Sequence, residues 1–469
     1  MTSKRVLITS LSVSPKITRY KLMEIMVESN QSPLALMQLL PQEKRPERIL
    51  VLCSERIFNE QFSNFKADVQ NAKQTFAGQD EDSPISVESL LIPDGVSTEE
   101  LWQSIKVILE AVPEGCGLTI DLTHGYRSIP FLIFTAALYL RTLKNVQIAG
   151  VYYGMLEENT GEKHAINSSV LIDMSVLINM IEWFYAAKIF SETGQAKFIS
   201  ELLAPFSIPP EGQACSPYSK VKELQEKFQN MGAAYLQALP LEAGLESSLL
   251  LKQLEKALPE HLSTSIPLPD ELFGKVKEFI VPFKLDNRRQ YKDKRNLILN
   301  EQELKRQGLM IDSYMEQGYV NHSIGLMREW MVSAAMYQTR KHSDLGSLKG
   351  DVWLSYDAKA GDVGRKDIEF KLGNLKKYAV RFHKNNALLT EGQKWLAEQW
   401  HFLIKDRNHL HHHGLNKKYI ILNSSKLTEI QKRWNLLKES LSEPEKWNLE
   451  IKFPIYDKSL RGTGNNASE

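Results

Sequence analysis

Apolar and polar positions change their rhythm once along the chain. Over residues 1–175, short β-rich runs at 5–9, 48–53, 85–92, 118–122 and 146–153 alternate with segments at 20–40, 58–76, 98–112 and 128–143 whose apolar residues recur at helical spacing. Strands alternating with helices predict βαβ crossovers and a parallel sheet covered on both faces, that is, an α/β Rossmann-like domain. Alternating runs around Tyr152 and 170–172 are candidates to extend that sheet. Such sheets bind ligands beyond the carboxyl ends of their strands, which directs attention to the loops after Thr9 and Leu122.

From Val176 the spacing becomes helical almost throughout. Proline-rich punctuation near 207–220 and 265–271 divides this part. An all-α connector is expected over 176–265 and an all-α effector domain over 266–450, with helices at 314–337, 368–382, 391–405 and 427–441. The charged, glycine-containing insert 343–366 reads as a surface loop, and 451–469 as a C-terminal tail.

With 469 residues, several packed domains are the default, and 42% hydrophobic with 25% charged residues excludes a disordered or disulfide-scaffold chain. The formal charge of +1 gives no chain-wide polyanion signature, so any nucleic-acid site must be local. Cys53, Cys116 and Cys215 lack CxxC spacing, which suits a reducing compartment and argues against structural zinc. The start of the chain lacks the apolar core of a signal peptide. The apolar stretch 129–140 is too short for a bilayer core of about 30 Å. The expectation is a cytoplasmic protein without a membrane span.

Two motifs carry chemistry. In the first, the apolar strand 118–120 runs into Asp121, Thr123, His124, Gly125 and Arg127 and then a helix, the layout of a phosphate or nucleotide cradle. The plainer reading is that Asp121 and Thr123 only hydrogen-bond the turn. No G-x-G-x-x-G run or Walker lysine marks a conventional dinucleotide or ATP site.

In the second, five of the eleven histidines (His401, His409, His411, His412 and His413) fall within thirteen residues, around Asp406, Arg407 and Asn408. Metal binding is the weakest reading, because adjacent helical histidines point in different directions and no carboxylate-rich or Cys cluster accompanies them. A helix end decorated with histidines and stopped by Gly414 is the plain alternative. An acid/base site acting on phosphate gains from Arg407. RNA is cut without metal when its 2′-hydroxyl attacks the neighbouring phosphate, which needs a proton-moving group near neutral pH and a cation for the charge-rich phosphorane. Positions five apart lie about 140° apart around an ideal helix, so Arg407 and His412 act together only if the helix bends or a second copy completes the site. The basic stretch 284–295, with Tyr291 interleaved, suits an RNA backbone but equally a solvated helix face.

Asp121, Thr123, His124, Gly125 and Arg127 after a strand resemble the D-x-T-H-G-x-R motif of the DxTHG family of CRISPR-associated proteins. Arg407, Asn408, His412 and Gly414 resemble the R-N-x3-H-x-G form of the R-x4-6-H motif of HEPN ribonucleases. Together, and in this order, they resemble the CARF-HEPN ribonucleases of type III CRISPR systems. Segments 181–195 and 321–337 look similar to that group. Ser10, Leu11 and Ser12 stand where a glycine-bearing first loop is expected.

The resemblance implies a homodimer, or a higher oligomer, whose CARF domains bind a cyclic tetra- or hexa-adenylate activator through Ser10, Leu11, Ser12, Asp121, Thr123, His124, Gly125 and Arg127. It implies no cofactor and no metal. Single-stranded RNA is cut at Arg407, Asn408 and His412, with His413 an alternative to His412, and Arg/His pairs from both protomers share one cleft. Glu329 is a candidate bidentate partner for Arg407, and equally a solvated carboxylate. The alternative function is a catalytically inactive cyclic-nucleotide sensor that dimerises or recruits a partner. A variant has the CARF pocket slowly degrading its own activator through Thr123 and His124.

Overall fold

The structure, a computed structural model, describes residues 5–73, 85–125, 128–157, 166–285, 297, 299–341, 364–381, 389–411 and 422–451. The chain divides into two units, Met1–Glu182 and Trp183–Glu469. The division falls inside one helix, Ser175–Thr193.

The first unit is built on an eight-stranded sheet of order β3-β2-β8-β7-β6-β1-β4-β5. Its strands are β1 (Arg5–Ser10), β2 (Thr18–Leu22), β3 (Ile25–Ser29), β4 (Arg48–Cys53), β5 (Ser86–Leu91), β6 (Gly117–Asp121), β7 (Gln147–Glu157) and β8 (Asn167–Asp173). Five strands, β5-β4-β1-β6-β7, run parallel, as the continuous apolar runs at β1 and β4 predict for strands buried on both faces. β1 sits between β4 and β6, so the winding reverses between β1 and β6.

Helices Thr98–Ala111 and Ser128–Lys144 pack on one face, and Ser32–Leu39 with the helical run 55–73 on the other. Thr98–Ala111 opens on a Ser97 cap, with Glu100 reaching past it to the two residues before. Ser97 Oγ accepts from Glu100 N–H at 3.2 Å, while the Glu100 carboxylate accepts from Gly95 and Val96 N–H.

Two expectations are corrected here. The sheet is mixed, because β7–β8 and β2–β3 are antiparallel. At that end Tyr153, Met155 and Ile172 are exposed among the described residues. The segment 20–40 is not one helix: it forms the β2–β3 hairpin and then the helix Ser32–Leu39. The hairpin turns at Met23, held at φ +53°, without the Asn-Gly signature that usually announces such turns.

The second unit is helical among its described residues. One core runs from Trp183 to Leu449, so helices on both sides of residue 265 share it. Tyr235, Phe279, Phe283 and Tyr314 form a linked aromatic cluster across that point. Trp330 packs edge-on against Trp434 at 4.9 Å and donates its indole N–H to the Leu304 carbonyl at 2.8 Å.

The helix expected at 314–337 is two, Glu301–Glu316 and Val320–Lys341. They are separated by Gly318 at φ +76°, a glycine terminator of the first. The punctuation at 207–220 is shorter than expected, since Cys215–Leu236 is one helix. The helix expected at 391–405 continues to His411, through Arg407 and Asn408. Most of the insert 343–366, the tail from 452, and the basic stretch from 286 to 296 lie outside the described residues. No described helix is long and apolar enough to cross a membrane.

Candidate functional site

The reversal point between β1 and β6 is where an open α/β sheet places ligands. The register Ile8↔Ile120 puts the ends of the two strands side by side, which brings Thr9 and Ser10 to Asp121 and the turn after it. Asp121 is fully buried and its carboxylate is fully engaged. Oδ2 accepts from Thr9 Oγ1 at 2.8 Å and Ser32 Oγ at 2.6 Å, and Oδ1 accepts from Thr123 N–H at 3.0 Å. Asp121 therefore ties β1, the helix Ser32–Leu39 and its own turn together rather than facing solvent. Thr123 Oγ1 accepts from Gly154 N–H at 2.9 Å, pinning the turn to β7.

His124 Nε2 lies 3.3 Å from the Ser32 N–H and 3.4 Å from the Tyr20 hydroxyl. Accepting from that backbone donor places the ring proton on Nδ1. Burial lowers the His124 pKa from its ordinary value, against an opposing pull from Asp121. Burial, reinforced by the Asp121 carboxylate, pushes Tyr20 up to about 12. The Ser10 hydroxyl donates to the His124 carbonyl, and Ser12 N–H donates to Gln31 Oε1 at 2.9 Å. Around these groups lies a cavity of about 230 Å³ lined by Ser10, Leu11, Ser12, Thr123, His124 and Gly125, among others. Seven of the eight residues expected to hold the activator are thus together; Arg127 lies outside the described residues.

Tyr20, Gln31 and Ser32 were missed from sequence. The alternation of Thr18, Tyr20 and Leu22 with Arg19 and Lys21 is a period-two signal that marks the strand carrying the first of them.

Two predictions arise here. Gly125 has φ +107°, and a Cβ on it would stand 2.6 Å from Ser10 Oγ. Gly125→Ala is expected to cost about 1–3 kcal/mol, read as a lowered first thermal transition with loss of ligand binding at this cavity. His124 carries its proton less readily folded than unfolded. Below the unfolded value of about 6.5 the unfolded chain binds more protons, so stability is present above that pH and is lost as pH falls. Melting at pH 5.5 and 7.5 is expected to show a larger acid loss in the wild type than in His124→Asn; equal losses would contradict it.

In the second unit, Arg407 is half-buried at a cavity of about 400 Å³ lined also by Gln237, Asn321, His322, Leu326 and Glu329. Among the described residues Arg407 makes no hydrogen bond or ion pair. The expected Glu329 partnership is corrected: that carboxylate pairs with Arg328 and Arg365. Burial pushes the Glu329 carboxyl up, but Arg365 and Arg328 together hold it below its ordinary value. Asp406 is buried and paired with Lys426 Nζ at 2.8 Å, fixing this end of its helix to Ser424–Glu439. Asn408 is exposed, and His401 is exposed with its pKa lowered by partial burial and by Lys376 and Lys405. His412, His413 and Gly414 lie outside the described residues. Asn321 and His322, which line this cavity with Arg407, begin the segment 321–337 that resembles the group, but nothing in it marked these two side chains as site residues.

No family model matches the chain. Over 193 residues, 40% of its length, the chain is 28% identical to the CRISPR-associated protein MJ1674 of Methanocaldococcus jannaschii, and it spans only 27% of that relative. The solved structure of Enterococcus italicus Csm6 bound to cyclic hexa-2′-fluoro-hexa-dAMP aligns over 95% of both chains at 10% identity and a TM-score of 0.39, too loosely to support an argument. A relative named as a CRISPR-associated protein thus shares sequence with 40% of this chain.

Proposed function

We propose that the chain is an endoribonuclease activated by a cyclic oligoadenylate, acting in CRISPR-linked defence. In this reading the α/β unit is the CARF sensor, helices up to about residue 265 form the connector, and the remainder is the HEPN effector. The observation that carries it is Arg407. A guanidinium without a protein partner among the described residues, at the wall of a cavity and on the helix that leads into the histidine cluster, is poised for an anion. The relative's name supports the CRISPR setting.

The step proposed is attack of the RNA 2′-hydroxyl on the adjacent phosphorus. Its proton passes to a histidine, the P–O5′ bond breaks, and the 5′-oxygen leaves protonated, giving a 2′,3′-cyclic phosphate. Arg407 stabilises the phosphorane and His412 moves the proton, with Asn408 beside them. Dimerisation about a two-fold axis brings two Arg/His pairs together and answers their 140° separation of about two-fifths of a turn. In the sensor, Ser10 to Ser12 and Thr123 to Gly125 bound the cavity that would receive one part of the ring, with Asp121 as scaffold.

Activator degradation by the sensor is less favoured, because His124 Nε2 already accepts and Thr123 Oγ1 is committed to Gly154. The test is labelled single-stranded RNA in EDTA with cyclic tetra- or hexa-adenylate. Fragments ending in 2′,3′-cyclic phosphate are expected; intact RNA with measurable ring binding selects the inactive sensor instead.

A further inference from the structure

We propose that Tyr319 is a positioning residue through which the end of helix Ser175–Thr193 sets the walls of the Arg407 cavity, coupling ring binding to RNA binding. The inference rests on the proposed function for the two ligands it names, while the contacts that carry it stand on their own. Besides the helix of Arg407, the cavity has two walls. One is the turn after helix Cys215–Leu236, with Gln237 and Ala238, and the other is the start of helix Val320–Lys341, with His322 and Gly325. Both walls hang on one tyrosine cluster. Tyr235 is fully buried just before the first wall, and its carbonyl accepts from Ala238 N–H at 2.9 Å and from the Tyr314 hydroxyl. Tyr319 immediately precedes the second wall. Its N–H donates to the Tyr314 carbonyl at 2.8 Å, and its ring centre lies 5.8 Å from that of His322.

Helix Ser175–Thr193, which starts in the first unit and ends in the second, terminates on the same cluster. The last carbonyls of a helix lack intrahelical partners, and the Thr193 carbonyl is met by the Tyr319 hydroxyl, which donates to it at 3.1 Å. Gly194 follows at φ +72°, so near Tyr235 that a Cβ on it would collide with that ring. The end of this helix therefore touches both tyrosines that lead into the cavity's walls. A close-packed aromatic cluster does not compress, so a shift of the helix end is passed on through Tyr319 and Tyr235 rather than absorbed. The walls move with it, and Arg407 meets its anion in a cavity of different width. Such coupling is reciprocal: RNA in the cavity changes the affinity for the ring by the factor with which the ring changes the affinity for RNA.

The test uses the full chain, titrated calorimetrically with cyclic tetra- and hexa-adenylate in the presence and absence of saturating 2′-O-methyl single-stranded RNA. The blocked 2′-hydroxyl prevents cleavage, so coupling is read without activity. In the wild type the RNA is expected to tighten binding of one of the rings about tenfold. Tyr319→Phe loses only the hydroxyl and should bring that ratio below about threefold while each ligand alone still binds. Tyr235→Phe is the control for a merely structural role. Its hydroxyl bonds to Ser313 and Gln317, not to Thr193, so the ratio should stay near tenfold whatever happens to the melting temperature. A wild-type ratio of one, no binding of either ring, a ratio that Tyr319→Phe leaves intact, or one that Tyr235→Phe abolishes equally overturns the proposal. A ratio lost in Tyr319→Phe alone, with RNA left intact under every activator, would instead sink the ribonuclease reading and leave the coupling contact standing.

Discussion

Arg407→Ala is expected to lower activated RNA cleavage by about 10²–10³-fold, the usual loss when one preorganised stabiliser of transition-state charge is removed. Its effect on folding should be small, within about 0.5 kcal/mol, because the guanidinium has no partner among the described residues to lose. That combination separates a group held for substrate from one held for structure. Arg407→Lys keeps the charge but not the planar fork and should fall between wild type and alanine. His412→Ala is expected to cost a similar or larger factor, about 10²–10⁴. Residues that act as one unit are non-additive, so the double variant should be little worse than the worse single one. Single-turnover rates with melting curves read all of this. Full activity in Arg407→Ala, or a melting loss as large as the activity loss, would remove Arg407 from the proposed chemistry.

The second large effect is expected at Asp121. Its carboxylate receives the Thr9 and Ser32 hydroxyls and the Thr123 N–H inside the protein, so Asp121→Ala leaves three donors facing a void. An unsatisfied buried partner costs about 1–3 kcal/mol, and with shared relaxation the total should be about 3 kcal/mol. For the first unit, Met1–Glu182, that corresponds to a fall of about 6–12 °C in its transition. Ring binding should be lost with it, since the turn that carries Thr123 and His124 is no longer tied to β1 and to helix Ser32–Leu39. Asp121→Asn keeps the shape but turns one acceptor into a donor, and should give a partial loss in both. Calorimetric melting and ring titration on the same preparations check this. Unchanged melting with lost binding would make Asp121 a direct ligand rather than a scaffold.

The parts of this architecture that show in the sequence are those whose physics is local. Strands β1 and β4 carry continuous apolar runs, and the turn from Asp121 to Gly125 ends the short β6 with polar residues and a glycine. The loop after β1 and the turn after β6 were identifiable because parallel sheets offer ligands their strand ends. The β2–β3 hairpin was hidden by a turn at Met23 that has no glycine, and by half-exposed strands whose mixed composition also fits a helix. What long-range contact creates was not legible. Ser32 and Tyr20 reach His124 from 92 and 104 residues away. Asn321 lines the cavity beside Arg407 from another helix. The choice of Arg328 and Arg365 over Arg407 as partners of Glu329 depends on packing that no spacing rule contains. The near-zero net charge likewise says nothing of a local anion site at Arg407.

The central claim is that a ring bound at the first unit controls cleavage in the second. It is tested by the single-turnover rate of RNA cleavage in EDTA, measured across a titration of cyclic tetra- and hexa-adenylate. A saturable rise with one of the rings, lost in Asp121→Ala and in Arg407→Ala, is predicted. A rate that is the same with and without either ring, whether zero or not, would contradict it.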